Sequence, residues 1–250
     1  MELANFRDIG GITTRLGKIK EKHLLRSGEL FQLSATDISS LKNDYNLKLI
    51  LDLRSLNEVV KHPDTEITGA RYLNLDVLSN LSGDNTGFDS LLKQLDVNIV
   101  DKHMKDVYRD IIIDTTASRG YNQFMNEIAN LANGSVIFHC FAGKDRTGLG
   151  AALLLETLGA TRDDIIADYL MTNTMRMPVN QALCEEAAKT YNLSASQVVA
   201  LEQFLLVKEI YLDETYNTID ERYGSVENYM LKGLGLIPET LEKLRMRYLA

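Results

Sequence analysis

Short apolar runs typical of β-strands recur between the N-terminus and His139. Residues 47–53 are almost continuously apolar, which predicts a strand buried on both faces of a parallel sheet. Three shorter runs have the same character: residues 24–27, 72–75 and 135–139. Ser34 precedes Asp37 with the spacing of a capping box, so we predict a helix from this point to about Tyr45.

The remaining apolar positions have the period of a helix. Helical spacing covers residues 101–113 and 118–132, and no strand pattern remains after Ala160. The predicted C-terminal helices are 162–173, 178–191, 197–220, 225–231 and 238–249. Pro178 and Pro238 are predicted to lie in first turns, where the missing N–H costs nothing.

Strand 135–139, the tight loop after it and the apolar helix 148–155 form a β-loop-α unit, and open α/β sheets bind ligands at that end of a strand. These patterns predict a single α/β domain over residues 1–250. We expect a central, mostly parallel sheet flanked by helices, with a helix-rich C-terminal half. Residues 175–204 are predicted either as a helical flap over the ligand site or as further core.

The composition is that of a globular protein, with 45% hydrophobic and 25% charged residues. Its 27 basic and 35 acidic side chains give a net charge of −8, which argues against a nucleic acid as the main partner but allows a locally positive pocket. No apolar run approaches the roughly 18 residues of a membrane span, and no signal-peptide core follows Met1. We therefore expect a cytoplasmic protein without stable membrane insertion; secretion of a longer precursor and the oligomeric state stay open.

The cysteines and histidines indicate neither a disulfide framework nor a metal site. Cys140 and Cys184 fit a reduced compartment, and Cys184 lies in a helical pattern as a small packing residue. His23, His62 and His103 lack metal-ligand spacing. We expect no metal and no organic cofactor.

The candidate chemistry lies in residues 139–148, which read His-Cys-Phe-Ala-Gly-Lys-Asp-Arg-Thr-Gly. Because this loop ends a strand and opens a helix, its unpaired N–H groups and the helix dipole can form a seat for an anion. Gly143 allows backbone angles that a Cβ would forbid. Such a seat stabilises a thiolate, so we expect Cys140 to be ionised at neutral pH. The predicted phosphate-binding residues are Phe141, Ala142, Gly143, Lys144 and Arg146.

These groups suit phosphoryl transfer to sulfur. Cys140 would attack phosphorus in line, while the planar guanidinium of Arg146 holds two phosphate oxygens. Thr147 could donate a hydrogen bond to the sulfur when it leaves. His139 is positioned to orient the loop through backbone carbonyls.

The leaving group needs a proton, and Asp145 is the candidate acid because it lies beside the phosphate seat. The alternative is that Asp145 pairs with Arg54 or Arg7 and only shapes the loop. The acid would then be Asp64 or a carboxylate near residues 106–114.

Residues 139–148 resemble the signature loop of cysteine-dependent protein-tyrosine phosphatases. Their Gly-Lys-Asp-Arg-Thr-Gly form is similar to that of the atypical bacterial tyrosine phosphatases with lipid-phosphatase activity. Three further stretches resemble motifs of that family: Asn-Phe-Arg-Asp-Ile-Gly-Gly at 5–11, Leu-Arg-Ser-Gly at 25–28, and Leu-Asp-Leu-Arg-Ser at 51–55 followed by Glu58. The resemblance covers about residues 5–173.

The resemblance implies a tyrosine-phosphatase-like fold and a phosphatase of broad specificity. Its partners would be phosphoproteins, carrying phosphotyrosine and in some cases phosphoserine or phosphothreonine, or phosphoinositides. It also implies Asp145 as general acid, Lys144 as a phosphoinositide contact, and a mobile helical lid near 175–204. The alternative for Lys144 is a solvated position at the rim. The residues expected to brace the loop through ion pairs and hydrogen bonds are Asn5, Arg7, Asp8, Asp52 and Arg54.

Two other functions are compatible with a cysteine in a ring of amides. A rhodanese-like sulfurtransferase uses such a ring, although the Arg146-Thr147-Gly148 helix start speaks against it. A non-catalytic phosphate-binding module is the second alternative, which intact Cys140, Asp145 and Arg146 disfavour.

Overall fold

A five-stranded sheet lies at the centre of the computed structural model, which describes residues 3–78 and 96–250. In chain order the strands are β1 (Arg7–Asp8), β2 (Thr13–Thr14), β3 (Gly17–Lys18), β4 (Leu24–Ser27), β5 (Leu47–Asp52), β6 (Arg71–Asn74) and β7 (Ser135–His139). The central sheet has the order β1-β4-β7-β5-β6, while β2 and β3 form a hairpin. β1 is antiparallel to β4 and the other neighbours are parallel, so the predicted α/β class is confirmed.

Helices surround this sheet and fill the C-terminal half. They are α1 (Ala35–Asn43), α2 (Leu56–Lys61), α3 (Val97–Ile113), α4 (Thr115–Asn130), α5 (Asp145–Thr157), α6 (Arg162–Thr190), α7 (Ala195–Leu205), α8 (Glu209–Tyr223), α9 (Val226–Asn228), a π-helical turn (Tyr229–Gly233) and α10 (Pro238–Tyr248). Ser34 caps α1 and Pro238 opens α10, as predicted. Across residues 3–78 and 96–250, no helix has both the length and the apolar character required to cross a bilayer.

The central strand β7 is buried along its whole length because both faces of the sheet are covered. Val136 and Phe138 point into the larger hydrophobic core, which α3, α4 and α5 complete. Ile137 points to the opposite face and packs in a second cluster with Leu41 of α1 and Ile50 of β5. A strand held on both faces gives the loop that follows it a fixed starting point.

Two predicted helix boundaries are wrong. Residues 162–173 and 178–191 belong to one helix, so Pro178 lies inside α6 rather than in a first turn. Residues 197–220 are interrupted between α7 and α8. The interruption has a tertiary cause, since the Asn173 side chain accepts the N–H of Val207 and donates to its carbonyl, both at 2.8 Å. A side chain thus replaces the helical partners of that peptide group.

Candidate active site

The loop between β7 and α5, residues 140–144, has its first two carbonyl oxygens held from outside. The Cys140 oxygen lies 3.2 Å from Nδ1 of His139. The Phe141 oxygen accepts the N–H of Glu29 at 3.0 Å. Both contacts come from the sheet side, because His139 ends β7 and Glu29 follows β4.

The next two carbonyl oxygens are held by long side chains from distant parts of the sequence. The Asn5 amide donates to the Ala142 oxygen at 3.2 Å and to the Gly143 oxygen at 2.8 Å. Arg26 donates to the Gly143 oxygen at 2.8 Å. Arg176 of α6 donates to the Ala142 oxygen at 3.0 Å. Four successive carbonyls are therefore bound on the outside of the loop.

This arrangement fixes the direction of the loop amides. In a trans peptide the N–H points opposite to the carbonyl, so the N–H groups of residues 141–144 face the inside of the loop. None of these four N–H groups has a hydrogen-bond acceptor among the described residues. Together with the N-terminus of α5 they form a concave set of donors with the electrostatic character of an anion site.

Gly143 is required by the shape of this loop. Its φ is +67°, in the left-handed region that glycine tolerates without strain. A Cβ at this position would lie 2.2 Å from the backbone oxygen of Ser27. The prediction that Gly143 adopts backbone angles forbidden to other residues is confirmed.

Cys140 and Arg146 belong to one buried electrostatic unit at the base of the loop. Cys140 is 2% exposed and both cysteines are free thiols. Glu58 holds the Arg146 guanidinium with both oxygens, at 2.7 and 2.8 Å. Burial opposes the charge of Arg146, but the Cys140 and Glu58 charges outweigh it and raise the Arg146 pKa. Two of the five guanidinium donors face Glu58, which leaves donors for an oxyanion.

Asp145 pairs with neither Arg54 nor Arg7, so the pairing considered in that alternative is wrong. Its Oδ1 accepts the hydroxyl of Tyr108 at 2.7 Å, and its Oδ2 lies 3.5 Å from Nζ of Lys144. Burial and the Asp145 charge raise the pKa of Tyr108 well above its ordinary value, so this phenol remains a donor. Asp145 therefore lies at the loop with one oxygen fixed by a tyrosine.

Lys144 and Arg176 connect the loop to the helices that cover it. Nζ of Lys144 donates to the Phe204 carbonyl near the end of α7 at 2.6 Å, and Lys144 is 5% exposed. The solvated rim position considered for Lys144 is therefore wrong. Asn180 joins the two helices, because it accepts from Arg176 at 3.1 Å and donates to the Leu205 carbonyl at 3.2 Å. Residues 175–204 lie against the loop in this way.

One side of the loop is braced by what we call the arginine-rich cluster, Arg7, Arg26 and Asp168. The Asp168 carboxylate accepts from Arg7 at 2.7 Å and from Arg26 at 2.5 Å. Burial lowers the pKa of Arg7 to about 10, with Arg26 acting in the same direction and Asp168 against it. Arg7 reaches the loop through the side chain of Asn5, and Arg26 reaches it directly.

The other side carries the carboxylate-rich cluster, formed by Glu29, Asp52, Arg54, Asp64 and His139. The fully buried Arg54 guanidinium donates to Asp52 at 2.7 Å, to Asp64 at 2.6 Å and to Glu29 at 3.0 Å. His139 lies 2.8 Å from the second oxygen of Asp64. Asp52, Asp64 and His139 present ligand atoms within 4.8 Å of one another, but Arg54 already binds both carboxylates.

Most of the predicted site residues lie in this region, with one exception. Asn5, Arg7, Asp52 and Arg54 contact the loop or the clusters beside it. Asp8 instead accepts the N–H groups of Gly10 and Lys22 and shapes the N-terminal turn.

The Thr147 hydroxyl is buried without a hydrogen-bond partner in the described parts of the chain, so it is free to donate to an incoming or leaving group.

Several residues of the site were not identified from the sequence: Arg26, Glu29, Tyr108, Asp168 and Arg176. Arg26 lies within the family-like motif at 25–28, which is a usable signal. The other four have no local signature because they come from separate helices and loops. Asp64, considered as an alternative acid, has one oxygen on Arg54 and the other on His139.

An aromatic surface lies beside the loop. The Phe31 and His62 rings stack with centroids 4.7 Å apart, and the His62 and Phe141 centroids are 5.9 Å apart. Phe141 is 44% exposed although it follows the buried Cys140 directly. A planar substrate group next to the anion seat would meet these rings.

Comparison with known proteins agrees with this geometry. The family model described as "Tyrosine phosphatase family" matches residues 1–250. A candidate tyrosine-protein phosphatase of Cupriavidus necator is 32% identical over 254 residues, covering 99% of this chain and 86% of the relative. The triple specificity protein phosphatase PtpB of Mycobacterium tuberculosis is 29% identical over 268 residues, covering 96% of this chain and 95% of that protein.

Among solved structures, the core catalytic domain of the PP-IP phosphatase SIW14 from S. cerevisiae aligns with 17% identity and a TM-score of 0.37. That alignment covers 88% of this chain and 93% of the yeast domain. On the strength of the match along its whole length, this chain belongs to the tyrosine phosphatase family.

Proposed function

We propose that this chain hydrolyses phosphate monoesters through a phosphocysteine intermediate on Cys140. The observation that carries the proposal is the binding of four consecutive loop carbonyls, residues 140–143, from outside the loop. Their amides are thereby aimed inward before any ligand arrives. Donors fixed in advance at the position of developing charge contribute most to enzymatic rate enhancement.

In the first step the Cys140 sulfur attacks phosphorus while the ester oxygen leaves. The loop amides and Arg146 bind the three equatorial oxygens as they gain charge. Glu58 fixes the plane of the guanidinium through its two hydrogen bonds. In the second step water attacks the phosphocysteine, and Thr147 donates a hydrogen bond to the departing sulfur.

Asp145 is the proposed proton donor for the leaving oxygen and the base that activates water in the second step. Its Oδ1 accepts the Tyr108 hydroxyl, while its Oδ2 lies 3.5 Å from Nζ of Lys144 and has no hydrogen bond within the described residues, so Oδ2 is the oxygen available for the proton. Asp64 is unsuited to this task because both of its oxygens are engaged by Arg54 and His139.

Phosphotyrosine is the substrate that the aromatic surface favours. The rings of Phe31, His62 and Phe141 would stack on a phenyl ring, which a phosphoserine lacks. The relative PtpB is named a triple specificity phosphatase, which supports testing phosphoserine, phosphothreonine and phosphoinositides as further substrates. Since a thiolate nucleophile works only while reduced, we also propose a reducing compartment such as the cytoplasm.

The test of the nucleophile is Cys140→Ser, with Cys184→Ser as the matched control. Cys184 packs between α6 and α7, in a cluster separate from the loop. We expect Cys140→Ser to abolish release of phosphate from para-nitrophenyl phosphate while a phosphotyrosine peptide still binds. Cys184→Ser should keep full turnover. Substantial turnover in Cys140→Ser would reject the covalent route.

A substrate panel tests the aromatic surface and the alternative functions together. Phe141→Leu should lower kcat/KM about tenfold for a phosphotyrosine peptide, corresponding to about 1.4 kcal/mol of lost ring contact, and leave a phosphoserine peptide unaffected. Equal losses would place the phenyl ring elsewhere. Transfer of sulfur to cyanide would support the sulfurtransferase alternative, and binding of phosphopeptide without turnover would support the binding module.

A further inference from the structure

His139 is fully buried, and both of its ring nitrogens face groups that can only accept a hydrogen bond. Nε2 lies 2.8 Å from a carboxylate oxygen of Asp64, and Nδ1 lies 3.2 Å from the carbonyl oxygen of Cys140. A neutral imidazole carries only one N–H. In that state the other ring nitrogen would face an acceptor oxygen with a lone pair on each atom, which is repulsive. An imidazolium, which donates from both nitrogens, satisfies both contacts.

The protonation state of Asp64 is fixed independently by its other oxygen. That oxygen accepts from the Arg54 guanidinium at 2.6 Å, which favours the carboxylate over the acid. Asp64 is therefore an acceptor toward His139 rather than a donor.

The charges buried around His139 point to the same conclusion. The side chains of Asp52 and Arg54 are 0% exposed and that of Asp64 is 6% exposed. Two carboxylates and one guanidinium leave one negative charge without a buried partner, and a proton on His139 balances it. Glu29 adds its charge on the more open side, where it also contacts His62, and Tyr72 donates to Asp52.

The balance of forces on His139 agrees with this count. Burial and the nearby Arg54 oppose a charge on the ring. The Asp64 hydrogen bond and the charges of Asp52 and Asp64 outweigh them, so the pKa of His139 is raised above its ordinary value. The Nδ1 atom is also 3.9 Å from an Asp52 oxygen.

We propose that Asp64 is a positioning residue for the nucleophile: it keeps His139 as an imidazolium whose Nδ1–H holds the Cys140 carbonyl. The positive ring contacts the backbone carbonyl of Cys140, and its charge favours the thiolate of the same residue. The carbonyl contact turns the Phe141 amide toward the anion seat. Asp64 acts through His139 and touches neither substrate nor sulfur.

This inference rests on Cys140 being the proposed nucleophile, but its test requires no phosphate ester. The first measurement is nitrogen-15 NMR of the wild-type histidine rings at pH 7, above the ordinary histidine pKa of about 6.5, with the His139 signals assigned from a His139→Gln variant. We expect both ring nitrogens of His139 to be protonated. A single protonated nitrogen on His139 would overturn the proposal without affecting the proposed function.

The second measurement follows thiolate absorbance against pH in Asp64→Asn, with Cys140→Ser as the blank. The amide can keep its bond to Arg54 and donate to Nε2, which leaves His139 neutral but in place. An opposite charge within about 4–6 Å shifts a titration by about 1–3 pH units. Because His139 contacts the backbone of Cys140 rather than its sulfur, we expect the thiolate midpoint to rise by about one unit.

Two controls separate this effect from general damage to the cluster. Glu29→Gln removes a carboxylate from the same Arg54 without touching His139 and should not raise the midpoint. On a His139→Gln background, Asp64→Asn should cause no further rise, because the two residues act in series. An unchanged midpoint in Asp64→Asn, or a full further rise on the His139→Gln background, would contradict the proposed role.

Discussion

The two sides of the loop between β7 and α5 are braced by ion clusters of opposite stoichiometry. In the arginine-rich cluster one carboxylate, Asp168, serves two guanidinium groups, Arg7 and Arg26. In the carboxylate-rich cluster one guanidinium, Arg54, serves three carboxylates. Both clusters are buried beside the same loop.

The excess on each side has a different use. Surplus donors of the arginine-rich cluster reach the Gly143 carbonyl and the Asn5 side chain, and so hold the loop carbonyls outward. Surplus acceptors of the carboxylate-rich cluster face His139, where we propose that they sustain a proton on the ring next to Cys140. On our proposal, one side shapes the anion seat and the other side tunes the proposed nucleophile, Cys140.

The comparison predicts that removing one carboxylate from each cluster lowers the free energy of unfolding by unequal amounts. Asp168→Asn leaves two buried guanidinium groups without a carboxylate, which should cost about 3–5 kcal/mol of unfolding free energy. Asp52→Asn should cost less, about 1–3 kcal/mol, because Arg54 keeps Asp64 and Glu29. Urea unfolding of both variants measures the difference. Equal losses would mean that the stoichiometry of the clusters has no energetic consequence.

A substitution at Gly143 tests whether the shape of the seat limits activity. In Gly143→Ala the new Cβ would collide with Ser27, so the loop must shift and kcat/KM should fall about 100-fold or more. Gly224→Ala is the matched control, since it also has a positive φ of +76° but open space around it. That variant should lose about 1–2 kcal/mol of stability and no activity. Full activity in Gly143→Ala would show that the observed loop shape is not needed.

A pair of asparagines distinguishes loop shaping from general stabilisation. Asn5 donates to two loop carbonyls, whereas Asn74 donates to the carbonyls of Asp52 and Arg54. Asn5→Ala should lower kcat/KM about tenfold, equivalent to about 1.4 kcal/mol, while Asn74→Ala should affect stability alone. Steady-state kinetics and thermal unfolding of both variants measure activity and stability separately. Equal activity losses in the two variants would contradict a specific role of Asn5 in shaping the loop.

The smallest effect is in the pH dependence of stability, where the two sides should differ in sign. The pKa of His139 is raised, so its contribution is complete below its unfolded value of about 6.5 and is lost as the pH rises through the folded value. Despite burial, Arg26 and Arg7 lower the pKa of Asp168, so its contribution is lost as the pH falls through that lowered value.

Unfolding measured across pH in His139→Gln and Asp168→Asn checks these signs. His139→Gln should lose part of the alkaline decline of stability, and Asp168→Asn should lose part of the acid decline. The opposite assignment would contradict the charge states inferred for the two clusters.

The sequence was sufficient for the scaffold and the loop because their signals are local. The apolar runs predict β5 and β7, and residues 139–148 carry cysteine, glycine and arginine at fixed spacing. The residues that hold the loop from outside come from distant parts of the sequence. Asp168 is separated from Arg7 by 161 positions, and no local pattern predicts their contact.

The errors have the same origin. Asn173 ends the helical hydrogen bonding at Val207 through a contact across 34 positions. Periodicity does not contain this contact and therefore predicts one helix where the structure has α7 and α8. The prediction that Asp8 braces the loop together with Arg7 is wrong, because adjacent residues of a strand point to opposite faces. Tertiary partners decide these cases, and a single sequence does not contain them.

The central claim is that Cys140 becomes phosphorylated during turnover. The most direct measurement is rapid acid quenching of the enzyme during hydrolysis of para-nitrophenyl phosphate, followed by mass spectrometry of the peptide that contains Cys140. The account predicts one phosphoryl group on that cysteine, and none in Cys140→Ser. Rapid turnover with no phosphoryl group on Cys140, or with the group on another residue, would contradict it.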